Sequence, residues 1–288
     1  MLYILRLIAR GLYALNFRGV YALGRLVGAL LWFFLRRRRH ESIGRIQERL
    51  GVPYERAREI ARASFTHNAT AFLEIVQNPR FGLRSPRFRP SEQSERAVRI
   101  LTSPRPIVAA MAHFGAWELL AAFVKDFERP MATVVRRQKN SALHELICEL
   151  RNEGGMASID HREASSKVLA HLRVNGVVGF LVDHNCSRNE AIFLPFLGKT
   201  AAVNMGPALL AIRGKALVWP VFMLREEGGS YAVCTEEPLD TATLEGPISD
   251  RARQVAEFYT AAVERCVLAR PEQWFWMHDR WKTRPADE

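Results

Sequence analysis

From Pro106 onward, short uninterrupted apolar runs alternate with segments whose apolar residues recur every three or four positions. The first pattern predicts buried strands and the second predicts helices. The predicted strands are 107–112, 132–135, 177–182 and 216–222, and the predicted helices are 117–127, 142–153, 163–174, 202–213 and 250–268. Strands without alternation, separated by helices, form sheets covered on both faces. The pattern therefore predicts an α/β fold with a mixed, mostly parallel sheet.

The first third of the chain has a helical pattern, which is clearest over residues 52–76. Its longest uncharged apolar run is 26–35, and allowing one arginine extends the run to 19–35. At about 1.5 Å per residue this is shorter than the ~30 Å hydrocarbon core of a bilayer. Four arginines, residues 36–39, follow the run in place of a small-residue cleavage site. This order argues against a signal peptide and predicts that the rest of the chain stays on the cytoplasmic side.

Positive charge is concentrated at this end of the chain. Residues 1–50 hold ten arginines and two acids, a net +8 of the +11 that the whole chain carries. Aromatic and aliphatic residues are interleaved with these arginines, which suits a lipid headgroup layer better than a nucleic acid. We therefore expect two parts, a basic, apolar membrane anchor at 1–39 and an α/β domain at 40–288. An ordinary packed helix with solvated arginines is the alternative.

The four cysteines are scattered, with no C-x-x-C pair. This spacing argues against a disulfide framework or a zinc knuckle and fits a reducing compartment.

The most informative short stretch is the apolar run that ends in "AHFGAWE". His113 would lie at the carboxyl end of a buried strand, where open α/β sheets bind their ligands. Gly115 permits a tight turn, and Glu118 falls in the first turn of the next helix. We expect this carboxylate to fold back onto the imidazole, giving a base and its orienting partner, with free N–H groups at the helix start as an oxyanion site. Because no serine or cysteine lies close in sequence, the base would activate a hydroxyl of the substrate. A purely structural His–Glu pair is the alternative.

Four ordered blocks of the sequence resemble the late acyltransferases of bacterial lipid A synthesis, which are H-x4-D/E acyltransferases. "AHFGAWE" resembles their catalytic block, and "VVRRQKNSALHELICELR" (134–151) resembles an arginine-containing segment. "LVDHNCSRNEAIFLPFLGKTAA" (181–202) resembles a turn and loop, and "PEQWFWMHDRWKTRP" (271–285) resembles the terminal block. The last block is the most specific, and the resemblance covers nearly the whole chain.

The resemblance implies roles for individual residues. His113 would be the general base and Glu118 its partner. Arginines 136 and 151 would hold phosphate or acyl-donor oxygens, to which planar guanidinium groups are suited. Asp183 would shape the site or cap a turn. The substrate-binding residues implied in the last block are Arg280 and Lys282, in a basic cluster facing anionic headgroups.

The activity implied is transfer of a fatty acyl chain to a hydroxyl of a lipid A precursor, without a cofactor. The donor would be an acyl–acyl carrier protein, and acyl-CoA is the alternative donor. A phospholipid or another glycolipid is the alternative acceptor. The partners expected are acyl carrier protein, an anionic lipid acceptor and the membrane surface, with no nucleic acid. The location expected is the cytoplasmic face of the cell inner membrane.

Three departures from the family pattern put the acceptor, more than the reaction, in question. Ser141 stands in place of a usual proline, Val203 and Asn204 in place of small hydroxyl residues, and Asp279 in place of an arginine.

Two other classes of function stay open on the sequence. One is a non-catalytic membrane-binding protein. The other is a metal-dependent hydrolase, although no short ligand spacing such as H-E-x-x-H supports it. Its candidate ligands are His113, Glu118, Asp160, His161, Asp183, His184, His278 and Asp279.

Overall fold

A mixed, mostly parallel sheet forms the centre of the protein in this computed structural model, which describes residues 1–286. Seven of the strands in these residues form one sheet in the order β3-β2-β4-β1-β7-β8, with β9 also pairing with β7. The strands are β1 (Ile107–Met111), β2 (Met131–Val135), β3 (Met156–Asp160), β4 (Val177–Leu181), β5 (Ala191–Phe196), β6 (Lys199–Asn204), β7 (Leu217–Glu226), β8 (Ser230–Thr235) and β9 (Leu239–Asp240). Strands β1 to β4 and β7 pair in parallel, whereas β8 and β9 run antiparallel to β7.

Helices precede the sheet and cover it. They are α1 (Leu2–Ala14), α2 (Phe17–Phe34), α3 (Arg36–Leu50), α4 (Tyr54–Glu74), α5 (Glu92–Thr102), α6 (Leu120–Lys125), α7 (Ser141–Glu153), α8 (Ala164–Arg173), α9 (Gly206–Arg213) and α10 (Ile248–Ala269). The predicted α/β class, with its helical N-terminal third, is confirmed.

Strand β1 shows why both faces of the sheet are covered. Its five residues are all buried. Val108 and Ala110 pack in the core that includes α8, α9 and α10, whereas Ile107, Ala109 and Met111 pack on the opposite side with α5 and α6. A strand buried on both faces has no polar alternation, which is the pattern that the sequence shows.

Some predicted boundaries were wrong. The helix predicted at 202–213 begins at Gly206, because residues 202–204 belong to β6 of a separate antiparallel hairpin with β5. Strands β3 and β8 were not predicted, since both are only partly buried and polar residues interrupt their apolar runs. A two-residue break at Leu15 and Asn16 separates α1 from α2, and the Asn16 side chain accepts a hydrogen bond from the Gly19 N–H.

Within the described residues, α2 is the one helix long and apolar enough to cross a membrane, judged by length and composition.

Candidate active site

His113 and Asp183 lie side by side at the carboxyl ends of two neighbouring parallel strands. In the register of β1 and β4, Met111 pairs with Leu181, and each of the two polar residues follows two positions later. Adjacent strands in a sheet are about 4.8 Å apart, so equivalent positions beyond their ends meet. The strand-end position predicted for His113 is confirmed.

The Asp183 carboxylate organises this point of the sheet. One oxygen lies 2.9 Å from His113 Nδ1, and the other accepts the His113 backbone N–H at 3.0 Å and the indole N–H of Trp274 at 2.9 Å. Three hydrogen-bonding contacts compensate the burial of a charged group that is only 4% exposed. Because an ionised carboxylate only accepts, His113 Nδ1 carries the proton and Nε2 is the free basic nitrogen.

Opposing effects set the two pKa values. Burial alone lowers the pKa of His113, but the charge of Asp183 and the hydrogen bond between them outweigh it, so the pKa is raised above its ordinary value. Burial alone raises the pKa of Asp183, but the attraction of His113 and the hydrogen bonds from His113 and Trp274 hold it well below its usual range. The pair therefore keeps Asp183 ionised and makes the imidazole a stronger base.

The Nε2 side of the His113 ring is open, with the side chain 26% exposed. No hydrogen bond joins Nε2 to another group in residues 1–286. Aromatic rings border it, with the Trp117 centroid at 5.5 Å and that of Phe275 at 6.0 Å. Both of these rings also contact Phe72, whose side chain on α4 is 53% exposed. A basic nitrogen bordered by apolar side chains suits a substrate that has a hydrocarbon chain beside its reacting atom.

Glu118 does not make the contact predicted for it. Its carboxylate accepts two hydrogen bonds from Arg151, at 2.7 and 3.1 Å, and one from the Trp117 indole at 3.2 Å. Glu118 adds only a longer-range attraction to the pKa of His113. The orienting partner of the imidazole is Asp183, which follows the neighbouring strand β4 and is 70 residues away from His113 in sequence.

Backbone N–H groups after β1 were predicted to be free as an oxyanion site, but two of them are hydrogen-bonded within the protein. The Gly115 N–H donates to the carbonyl of Gln273 at 3.0 Å, and the Ala116 N–H donates to that of Met223 at 2.7 Å. These two N–H groups are therefore not free to bind an oxyanion. Gly115 has φ +63°, and a Cβ there would overlap the Met223 carbonyl oxygen, so only glycine fits.

The C-terminal segment, residues 271–283, holds the site together. Besides Trp274, its Phe275 N–H donates to the His113 carbonyl at 3.1 Å. The His278 Nε2 accepts the Asn185 N–H at 2.9 Å, just beyond Asp183, and burial lowers the pKa of His278 to about 4. The segment thus binds the turns after both β1 and β4, which gives a structural reason for its distinctive sequence.

A buried charge pair, which no local sequence pattern indicates, supports the same turn from behind. Arg225 donates to Glu74, to Nδ1 of His67 at 2.7 Å and to the Gly115 carbonyl at 3.4 Å, while Tyr231 also donates to Glu74. The arginine is 3% exposed and the glutamate 1%. The pair fixes α4 and β7 to the His113 turn.

The remaining predicted binding residues fall into two groups. Arg136 follows β2 at the same sheet edge, 61% exposed and 3.8 Å from Glu190, and Lys282 is exposed. Both stay predictions.

Arg151 is engaged by Glu118, and Arg280, 1% exposed, donates to the Ala202 carbonyl. Both arginines are occupied internally, so Arg151 is not a free guanidinium for phosphate or acyl-donor oxygens, and Arg280 does not face a headgroup.

The acids and histidines proposed as metal ligands do not assemble. In residues 1–286 no three His, Cys, Asp or Glu side chains are grouped closely enough to hold a metal ion. Asp160 and His161, for instance, pair with each other at the end of β3 and are both well exposed.

Comparison with known proteins identifies the family. The sequence profile of the bacterial lipid A biosynthesis acyltransferases matches residues 2–283. The chain belongs to this family.

Its relatives include the lipid A biosynthesis lauroyltransferase of Escherichia coli K12, 28% identical over 63% of this chain and 58% of that protein. The lipid A biosynthesis palmitoleoyltransferase of the same organism is 24% identical over 92% of this chain and 86% of the relative. A phosphatidylinositol mannoside acyltransferase of Mycolicibacterium smegmatis is 23% identical over 65% and 60%. Family and relatives indicate an acyltransferase.

Gly115→Ala tests the turn of this acyltransferase. We expect it to destabilise the fold by more than the ~1–2 kcal/mol that a left-handed alanine costs, because the new methyl also overlaps Met223. Gly51→Ala is the matched control, with φ +64° and open space around the position. Thermal unfolding of the two purified variants measures the difference, and equal losses would contradict the close approach.

Glu118→Ala tests the assigned partner. It leaves Arg151 buried without its carboxylate, so we expect a loss of about 3 kcal/mol in unfolding free energy. The double variant Glu118→Leu/Arg151→Leu should recover part of that loss. Denaturant unfolding measures both, and a stable single variant would contradict the pairing.

Proposed function

We propose that this acyltransferase moves a fatty acyl chain from a thioester to a hydroxyl of a lipid A precursor, with His113 as general base. The observation that supports this most is the one-sided engagement of the imidazole. Its Nδ1 is held by Asp183 and its Nε2 is open beside an apolar surround. A base fixed in this way is positioned for proton transfer.

In the proposed step, Nε2 removes the proton from the acceptor hydroxyl while the oxygen attacks the thioester carbonyl carbon. The C–S bond then breaks, and the imidazolium returns the proton to the departing sulfur. Asp183 stabilises the imidazolium that forms between these events, which is the direction in which it shifts the pKa of His113. Donor and acceptor supply every atom of this balance, so the step calls for no cofactor.

We further propose acyl carrier protein as the donor's carrier and an anionic, Kdo-bearing lipid A precursor as the acceptor. Arg136, with its neighbours Arg137 and Lys139, is exposed at the end of β2, two strands or about 10 Å from His113. Together with Lys282 these cations suit a phosphorylated or carboxylated partner. The mycobacterial relative supports another anionic glycolipid as the alternative acceptor.

The location proposed is the cytoplasmic face of the inner membrane. Residues 1–40 contain eight arginines and no acids, and the apolar helix α2 lies among them. Such a segment is attracted to anionic lipid.

His113→Ala is expected to reduce acyl transfer by about 10²–10⁴-fold, because it removes the base. It also removes one of the three donors to the buried Asp183 carboxylate, so we expect a lower Tm, and the assay is run below the Tm that thermal unfolding of the variant gives. The assay combines purified protein, a lipid A precursor and either acyl–acyl carrier protein or acyl-CoA. Mass spectrometry of lipids from cells with and without the gene identifies the acyl mass and the acceptor. His161→Ala, on the surface, is the control. Near-normal transfer by His113→Ala would end the proposal, and transfer only from acyl-CoA would replace the donor.

A further inference from the structure

Helix α2 packs on α4 through two glycines, at very short range. A Cβ on Gly24 would lie 2.8 Å from Thr70 Cα, and one on Gly28 would lie 2.6 Å from Thr66 Cα. Further along, the Trp32 ring meets that of Phe65 edge-on at 5.3 Å. The two helices are therefore antiparallel and in backbone contact, which is a tight docking and not a loose tether.

Helix α4 has its other side against the catalytic domain. Ser64 and Asn68 both donate to the Trp274 carbonyl, in the segment that holds His113 and Asp183. Thr66 and Thr70, which contact α2, lie on the opposite side of α4 at helical spacing. Over most of the length of α2 the order of layers is thus α2, then α4, then the rest of the domain, which α2 itself reaches at its first residue, where the Phe17 ring meets Tyr231.

The outward side of α2 is apolar and positively charged. Leu26, Leu30, Phe33 and Phe34 are 48–71% exposed, and Arg25 is exposed among them. The neighbouring α1 exposes further large apolar residues. An exposed apolar surface rich in arginine and free of acids complements an anionic lipid layer, in which arginines extend towards the headgroups.

This layering decides how α2 meets a bilayer. If α2 stood upright across the hydrocarbon, α4 and the domain packed behind it would lie at the same depth, in lipid. The hydrogen-bonded turns and charged loops of the domain do not tolerate that environment. Arg25 would also sit near the middle of the bilayer, where an arginine costs about 2.5–3.5 kcal/mol. If α2 lies flat, the domain stays in water.

We propose that α2 is an in-plane helix, docked rigidly on α4, with its outward side buried at the headgroup boundary of an anionic bilayer. The inference rests on the proposed membrane location. It makes the membrane surface a fixed reference for the site, since Phe72 on α4 contacts both aromatic rings beside His113.

Depth measurements test the orientation directly. Leu26 and Phe33 lie seven residues apart on one side of α2, or about 10 Å along its axis. Each is changed to cysteine, Leu26→Cys or Phe33→Cys, in a chain whose two half-buried native cysteines, Cys148 and Cys234, are serine. A fluorophore is attached to the new cysteine, and the labelled protein is bound to vesicles of phosphatidylethanolamine and phosphatidylglycerol. The depth of the fluorophore is measured from its quenching by lipids that carry a nitroxide at a shallow or a deep position.

For an in-plane helix we expect the fluorophores at the two positions to lie at equal, shallow depths. A difference of about 10 Å would show a spanning helix and overturn the proposal. If neither position is quenched by lipid, the proposal is also overturned. A contact between two copies of the chain would give that result. The inactive His113→Ala chain should give the same depths, so this result is independent of whether acyl transfer occurs.

A matched pair of variants tests the docking on α4. Gly28→Leu cannot fit against Thr66, so we expect the Tm of the full chain to fall by several degrees. Ala29→Leu adds the same side chain one residue later on the exposed side, and should leave the Tm unchanged while strengthening vesicle binding. Equal effects of the two substitutions would overturn the docking, and with it the in-plane orientation.

Discussion

The buried carboxylate of Asp183 is the constraint on which the site depends. An ionised carboxylate in the interior is tolerated only where donors surround it. Those donors are the His113 ring, the His113 backbone and the Trp274 indole. Satisfying one charge therefore ties together the ends of β1 and β4 and the C-terminal segment, and it also selects which imidazole nitrogen is left free.

The fold class followed from the sequence because the strands that carry the site are buried on both faces. Uninterrupted apolar runs such as 107–111 and 177–181 reflect that burial directly. The position of His113 at a strand end followed for the same reason. The hairpin of β5 and β6 and the edge strand β8 are only partly buried, so their pattern is weaker.

The partner of His113 could not be found by proximity in sequence. Glu118 is five residues away but turns towards Arg151, whereas Asp183 meets the imidazole through the register of two parallel strands. A signal was present, since each residue comes two positions after a buried apolar run, but it needed the strand order to be used. The Glu74–Arg225 pair joins a helix to a distant strand, and no local pattern reveals such a contact.

The outer layers of the protein extend the same organisation towards the membrane surface that we propose. The C-terminal segment that holds His113 is also the surface on which α4 rests, and α4 in turn holds α2 by close glycine contacts. A chemical group that must meet a lipid headgroup benefits from being held at a fixed depth, because reacting atoms have to be placed within a few tenths of an ångström. Rigid packing from helix to imidazole would provide this placement in the orientation that we propose.

The most direct measurement is nitrogen NMR of the wild-type protein labelled with ¹⁵N-histidine, followed through a pH titration. We expect neutral His113 to carry its proton on Nδ1 and to have a pKa above the ordinary ~6.5. Asp183→Asn should lower that pKa, because the charge that raises it is lost and burial then outweighs the remaining effects. A proton on Nε2 in the wild-type protein, or a pKa that Asp183→Asn leaves unchanged, would contradict this account.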